Sequence, residues 1–224
     1  MNSCRDCKYN NVCFEQLSYT EIDKISNNKT QIIYNKGETI IKQGIPVTFY
    51  LNIRKGLVKL HIKRDNKTTI LGIMSSGQAI GLDNLGRNKM YDYSVTAIEE
   101  QTEVCLIDAA IINQIMKNNG AFASFIFRKS NRHLFYLFNE LSLLANNHLD
   151  KRIAIALLNL SKELKQADPD IIPITQKEIG ELTSMSTVSV IRIMKTFKEN
   201  GLIGKVNGKT KIKNYSTLEK IAGM

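Results

Sequence analysis

Between residues 30 and 107 apolar and polar residues alternate in short runs cut by turns that carry glycine. Gln31-Ile32-Ile33-Tyr34 precedes Asn35-Lys36-Gly37, and Phe49-Tyr50-Leu51-Asn52-Ile53 precedes Arg54-Lys55-Gly56. Leu57-Val58-Lys59-Leu60-His61-Ile62 alternates and then meets the turn Arg64-Asp65-Asn66-Lys67. A period of two marks a strand with one buried face, and this rhythm predicts a small antiparallel roll or barrel. From about residue 109 to 145 the pattern becomes helical. Phe127, Leu134, Leu137, Leu141 and Leu144 keep a heptad stripe on one face of a helix. That stripe fits a core helix and a dimer seam equally well.

Asn146-Asn147-His148 reads as a hinge. Beyond it Asp150 stands where it can cap the apolar run Ile153-Ala154-Ile155-Ala156-Leu157-Leu158, and Ala167-Asp168-Pro169-Asp170 closes that helix. Thr175 and Glu178 have the spacing of a capping box, which starts a helix carrying Ile179, Gly180 and Leu182. A second helix follows from Thr187, with Val190, Ile193, Met194 and Phe197 on its buried stripe. Gly180 lets the two helices approach closely. Two helices joined by so short a link form a helix-turn-helix. After it, Asn207-Gly208 predicts a hairpin rich in lysine.

Charge then changes the picture. The chain has 224 residues and a formal net charge of +10, which favours a polyanionic partner. From residue 147 onward 13 basic residues face 8 acidic ones, so net positive charge is about twice as dense there as before it. At 43% hydrophobic and 23% charged residues the chain has enough apolar material for a core. No apolar run is long enough for a membrane span, and the start Met1-Asn2-Ser3-Cys4-Arg5-Asp6 has no apolar signal region, so a cytoplasmic protein is expected.

With this charge, the outer face of the second helix is a candidate reader of double-stranded DNA. Val188, Ser189, Arg192 and Lys195 occupy it. Arg192 can donate two hydrogen bonds to guanine O6 and N7. Ser186 and Thr187 at the helix start, and Thr175 and Gln176 at the start of the preceding helix, are expected to meet phosphate or base edges, with Lys209 on the hairpin against the backbone. The alternative is a solvated polar face beside a charge run.

Cys4, Cys7 and Cys13 follow C-x2-C-x5-C, and Cys105 lies far downstream. Four thiolates suit a [4Fe-4S] cluster or a tetrahedral zinc site, and spacing alone does not separate them. A lone cysteine in a strand, such as Cys105, is as often a core residue. His61, His133 and His148 form no ligand spacing.

The order roll, long helix, winged helix-turn-helix resembles the Crp/Fnr superfamily of transcriptional regulators over nearly the whole chain. The resemblance is carried by Lys36-Gly37-Glu38-Thr39-Ile40-Ile41-Lys42-Gln43-Gly44, by Gly77-Gln78-Ala79-Ile80-Gly81-Leu82-Asp83 and by the helix-turn-helix. The four cysteines match, in order and spacing, the cluster ligands of the Fnr branch. The resemblance therefore implies a [4Fe-4S] cluster held by Cys4, Cys7, Cys13 and Cys105 that couples oxygen to DNA binding. Three departures stand out. No phosphate-binding Arg-Ser/Thr-Ala cassette follows Gly81, although Arg87 lies nearby. Val188 replaces the family's usual glutamate and cannot accept a hydrogen bond from cytosine N4, which implies a different operator. Leu137 takes the place of a charged residue on the dimer helix, which favours a dimer even without a cluster. The turn 64–67 matches a surface that touches RNA polymerase in relatives.

The expected fold is α+β. A cysteine-rich segment (1–17) precedes a cyclic-nucleotide-binding-like β-roll (18–115), a long dimerisation helix (116–146) with Leu134, Leu137, Leu141 and Leu144 at its seam, and a winged helix-turn-helix (147–224). The expected function is that of a homodimeric regulator, with no catalysis and no membrane partner, placing two reading helices about 34 Å apart on a near-palindromic site. The alternatives are a regulator gated by a small molecule in the roll, with no cluster, and a cysteine-based oxidoreductase.

Overall fold

The computed structural model describes residues 3–9, 14–65, 67–82, 90–146, 148–163 and 170–224, and within them every side chain except those at 132–133, 136–137, 139–146 and 163. The chain divides into two compact units, Met1–Val58 with Met74–Leu137 and Lys59–Ile73 with Phe138–Met224.

The alternating segments form the predicted strands. They are β1 (Lys29–Tyr34), β2 (Thr39–Ile41), β3 (Phe49–Lys55), β4 (Leu57–Arg64), β5 (Lys67–Ser75), β6 (Ala79–Ile80), β7 (Ser94–Ala97) and β8 (Thr102–Asp108). They make two four-stranded sheets, ordered β1-β8-β3-β6 and β2-β7-β4-β5. In β8, Thr102 and Val104 are buried and Glu103 and Cys105 half-buried, a period of two that breaks at the end of the strand, where Leu106 is half-buried and Ile107 buried. Register puts Cys105 opposite Gln31 of β1 on one side and Asn52 of β3 on the other.

Helix α1 (Tyr19–Asn27) opens with a capping box between Ser18 and Glu21. Helices α2 (Ala109–Asn118) and α3 (Gly120–Asn146) follow the roll. The apolar pattern alone predicted one helical stretch here, and Asn119 divides it. Its backbone is extended, at φ −126° and ψ 92°, and its N–H still bonds to the Ile115 carbonyl. Its side-chain oxygen then accepts from the Phe122 N–H at 3.0 Å, so one asparagine ends a helix and starts the next. Ile22 and Ile25 of α1 pack with Ile107, Ile112, Ile115, Phe122 and Ile126 in one buried cluster.

In the second unit α4 (Leu149–Glu163) buries every residue from Ile153 to Leu158. Asp150 was expected to cap this helix. It lies inside the first turn, because the helix begins at Leu149, and there it faces the positive end of the helix dipole. The expected closing residues 167–169 lie outside the described residues. Then come β9 (Ile171–Ile172), α5 (Gln176–Thr183), α6 (Thr187–Glu199), β10 (Ile203–Val206), β11 (Lys209–Ile212) and α7 (Tyr215–Ala222). The three short strands form one sheet, ordered β10-β11-β9. The Tyr215 hydroxyl and Ser161 Oγ are hydrogen-bonded at 2.7 Å, and Tyr215 also donates to Asp170 at 2.9 Å, which ties α7 to the end of α4 and the approach to β9.

Candidate nucleic-acid interface and cysteine corner

Helix α5 starts as its sequence predicts. Thr175 Oγ1 accepts from the Glu178 N–H at 3.2 Å, and Glu178 Oε2 accepts from the Thr175 N–H at 2.9 Å. Glu178 also pairs with Lys59 Nζ of β4 at 2.8 Å, both side chains being about four-fifths buried. Burial alone pushes the Glu178 carboxyl up. The bonds from Lys59 and Thr175 outweigh it and hold the group below its ordinary range. At the other end of α5 the Arg152 guanidinium donates to the Thr183 carbonyl.

The link to α6 is tight. Ser184 adopts a left-handed conformation, φ 54° and ψ 41°, and ends α5. A Cβ added to Gly180 would lie 2.9 Å from the Met185 carbonyl oxygen, so only glycine admits this crossing. Ser186 caps α6 by accepting from the Ser189 N–H at 3.1 Å. Val190, Ile193, Met194 and Phe197 form the buried stripe, as their spacing predicts. The face opposite carries the predicted readers. Val188, Arg192 and Lys195 are exposed, Thr187 and Ser186 are exposed at the helix start, and Ser189 is half-buried with its hydroxyl 2.9 Å from Ser186 Oγ. Lys195 approaches Glu199 at 3.8 Å, an exposed pair that holds the side chain only weakly.

Gln176 is half-buried and lines a groove beside α6 with Ile191, Met194, Lys195, Lys198 and Lys205. Thr175 is exposed, and its side chain is already engaged in the cap. The hairpin turns through Asn207 (φ 49°) and Gly208 (φ 77°), the left-handed pair that a two-residue turn demands. Lys205 and Lys209 are exposed on its strands, whereas Lys211 leans to Asp170 at 3.8 Å. Sequence reading missed Ile191 and the Lys59–Glu178 pair. Ile191 escaped because an apolar residue beside a buried stripe reads as part of it.

The cysteines converge in part. Cys4 is buried, and its N–H donates to Ser26 Oγ at 3.2 Å. Arg5 binds the Asp23 carboxylate and lies 5.0 Å from the centre of the Tyr19 ring, which fastens this segment to α1. Lys29, only 6% exposed, donates from Nζ to Cys4 Sγ at 3.1 Å. Burial raises the Cys105 thiol above its ordinary pKa, the Lys29 charge lowers it, and Cys4 and Cys7 raise it further. In the β1–β8 register Lys29 pairs with Ile107 and Gln31 with Cys105, which puts Lys29 and Cys105 on one face. Lys29 reaches Cys4 there, and the Cys7 N–H donates to the Cys4 carbonyl at 3.4 Å, so Cys4, Cys7, Cys105 and Lys29 share one corner. Cys13 lies outside the described residues. Among the described residues no three His, Cys, Asp or Glu already stand in a metal-holding arrangement. Nothing in the local pattern marked Lys29, since a lysine opening a strand reads as solvated.

On α3 large apolar side chains point into solvent. Phe127, Leu134, Phe135 and Phe138 are all exposed, Phe135 at 70%. The side chains of Leu137, Leu141 and Leu144, predicted for the same seam, lie outside the described set. So does the segment 83–89 that holds Arg87. Among the described residues no helix is long and apolar enough to cross a membrane.

A β-roll followed in the chain by a long helix and a helix-turn-helix with a lysine-bearing hairpin defines a two-domain DNA-binding regulator. Residues 31–119 match the cyclic nucleotide-binding domain family, and residues 151–221 match the Crp-like helix-turn-helix domain family. The chain is 24% identical to the transcriptional activator protein FnrA of Stutzerimonas stutzeri over 98% of this chain and 92% of that protein. It is 29% identical to the cAMP-activated global transcriptional regulator CRP of Salmonella typhimurium over 79% of this chain and 86% of that protein. Its fold is shared with FixK2 from Bradyrhizobium japonicum, at 18% identity and a TM-score of 0.76 over 86% of this chain and 96% of that one. A Crp/Fnr-family regulator from Eubacterium rectale has the same TM-score, 0.76, at 20% identity over 94% of this chain and 97% of that one. The chain belongs to the Crp/Fnr superfamily of DNA-binding transcriptional regulators.

Proposed function

We propose that this protein is a homodimeric, sequence-specific regulator whose DNA binding responds to oxygen or redox state through a [4Fe-4S] cluster at its cysteine corner. The observation that carries the DNA-reading part is the outer face of α6, where Arg192 stands exposed opposite a complete buried stripe. The exposed aromatic row on α3 supports pairing with a second copy, because apolar patches left in water mark interaction surfaces. RNA polymerase is the expected protein partner on the promoter, and the cytoplasm the expected compartment.

The donor set fits a cluster. Thiolates are soft ligands, three cysteines share one corner, and a buried ammonium there offsets negative charge. Cys4, Cys7 and Cys105 would hold the group, with Cys13 as the fourth thiol. A bound cluster supplies sensitivity to oxygen. The chain supplies the rest: Arg5 and Ser26 anchor the segment that carries Cys4, and Lys29 donates a hydrogen bond to its sulfur. The state of this corner must favour one arrangement of the DNA-reading helices over another for switching to follow.

A second reading rests on the match of residues 31–119 to the cyclic nucleotide-binding family, which favours a small effector in the roll. Protein purified without oxygen separates the two. The cluster reading expects a visible charge-transfer band, with bound iron and sulfide, that Cys13→Ser abolishes. A colourless, iron-free protein whose DNA affinity responds to an added nucleotide would establish the second reading instead.

A further inference from the structure

We propose that Val188 and Ile191 form an apolar ledge that reads thymine methyl groups beside the base taken by Arg192, an inference that rests on the DNA-reading role of α6. Val188 is 77% exposed and Ile191 47% exposed, two neighbouring branched aliphatic side chains away from the buried stripe of a helix whose packing is already complete. At about 100° per residue, Val188 and Lys195 fall within about 20° of one line, Ile191 about 60° to one side and Arg192 about 40° to the other. The buried stripe of Val190, Ile193, Met194 and Phe197 centres roughly opposite that line. The four outward side chains therefore make one row that enters a groove together.

The chemistry of this row is unusual for its polarity. Ser189 is bonded to Ser186, and the Thr196 hydroxyl bonds back to the Arg192 carbonyl at 3.3 Å. No carboxylate stands between Thr187 and Thr196 to accept from cytosine N4. What remains is two cations and two aliphatic side chains. In the major groove the guanidinium matches guanine O6 and N7, and the thymine methyl is the apolar group on display. Ile191 also lines the groove with Lys195, Lys198 and Lys205, whose charges draw phosphate toward the same side. The ledge thus favours thymine next to guanine and rejects cytosine, whose amino group it would strip of water without a partner.

The test uses the full-length protein and a duplex that it enriches from a random pool. Each thymine of that duplex is replaced in turn by deoxyuridine, which removes only the methyl group. Replacement at one or two positions per half-site, adjacent to guanine, is expected to weaken binding about fourfold each, the loss of one buried methyl. In Val188→Ala/Ile191→Ala the same replacements are expected to change affinity less than about twofold, the ledge being gone. Both side chains are exposed, so thermal melting of the variant should match that of the parent. Equal affinity for thymine and uracil duplexes at every position would overturn the ledge and leave sequence reading by α6 intact. A variant that keeps the full uracil penalty would overturn it too. Failure to enrich any duplex would overturn the DNA-reading role itself, and the ledge with it.

Discussion

Arg192 stands exposed on the second turn of α6, with its neighbours Ile193 and Met194 buried behind it. A bidentate arginine–guanine contact contributes about 1–3 kcal/mol of base discrimination. Arg192→Ala should therefore lose roughly 5- to 150-fold in affinity on the enriched duplex and much less on random DNA. Equal losses on both, read by fluorescence anisotropy at fixed salt, would assign the residue to backbone binding. Arg192 was legible in the chain because its place follows from a helical period that other residues set. Lys29 was not, because its value comes from Cys4, which reaches it across 25 positions of sequence.

At the level of elements, α5 is held at its start by two devices of different origin. The capping box is local, with its donors and acceptors three residues apart, and the sequence shows it plainly. A capping box of the same spacing, with serine in place of threonine, opens α1 at Ser18 and Glu21. The ion pair with Lys59 is long-range. It joins β4 to α5 and keeps Glu178 charged although the carboxylate is mostly buried. Because the folded-state pKa is lowered, its contribution to stability is complete above the unfolded value, about 4.3, and disappears as pH falls through the folded value. Lys59→Met should cost about 1.5–3 kcal/mol at pH 7, the range for a hydrogen bond to a charged partner. The difference between variant and parent in denaturant melts should shrink steadily below about pH 4. A gap that stays constant to pH 3 would show that Lys59 acts by packing alone.

For the whole molecule the decisive feature is the uncovered aromatic row of α3. Phe127, Phe135 and Phe138 stay more than half exposed, and the proposed second copy would cover such a row without a new element. Phe135→Glu should shift the protein toward monomer in sedimentation velocity and weaken binding to a two-half-site duplex far more than to a single half-site. Because the side chain is 70% exposed, the thermal stability of the separate chain should change little. A dimer unaffected by Phe135→Glu and by Phe138→Glu would move the interface off this row.

The pattern along the chain was enough to define the roll, the capped α5, the buried stripe of α6 and the Asn207-Gly208 turn. Each rests on spacing within a few residues, where backbone geometry dictates which side chains share a face. The apolar period by itself did not place the break at Asn119, since it runs on through both flanking segments; the dipeptide Asn119-Gly120 and the asparagine's bond to the Phe122 N–H mark it. Tertiary packing alone decided that Lys29 meets Cys4, that Lys59 meets Glu178 and that Ile191 stays in water while Met194 does not. Those outcomes depend on which distant segments the folded core brings together, and no local period carries that information.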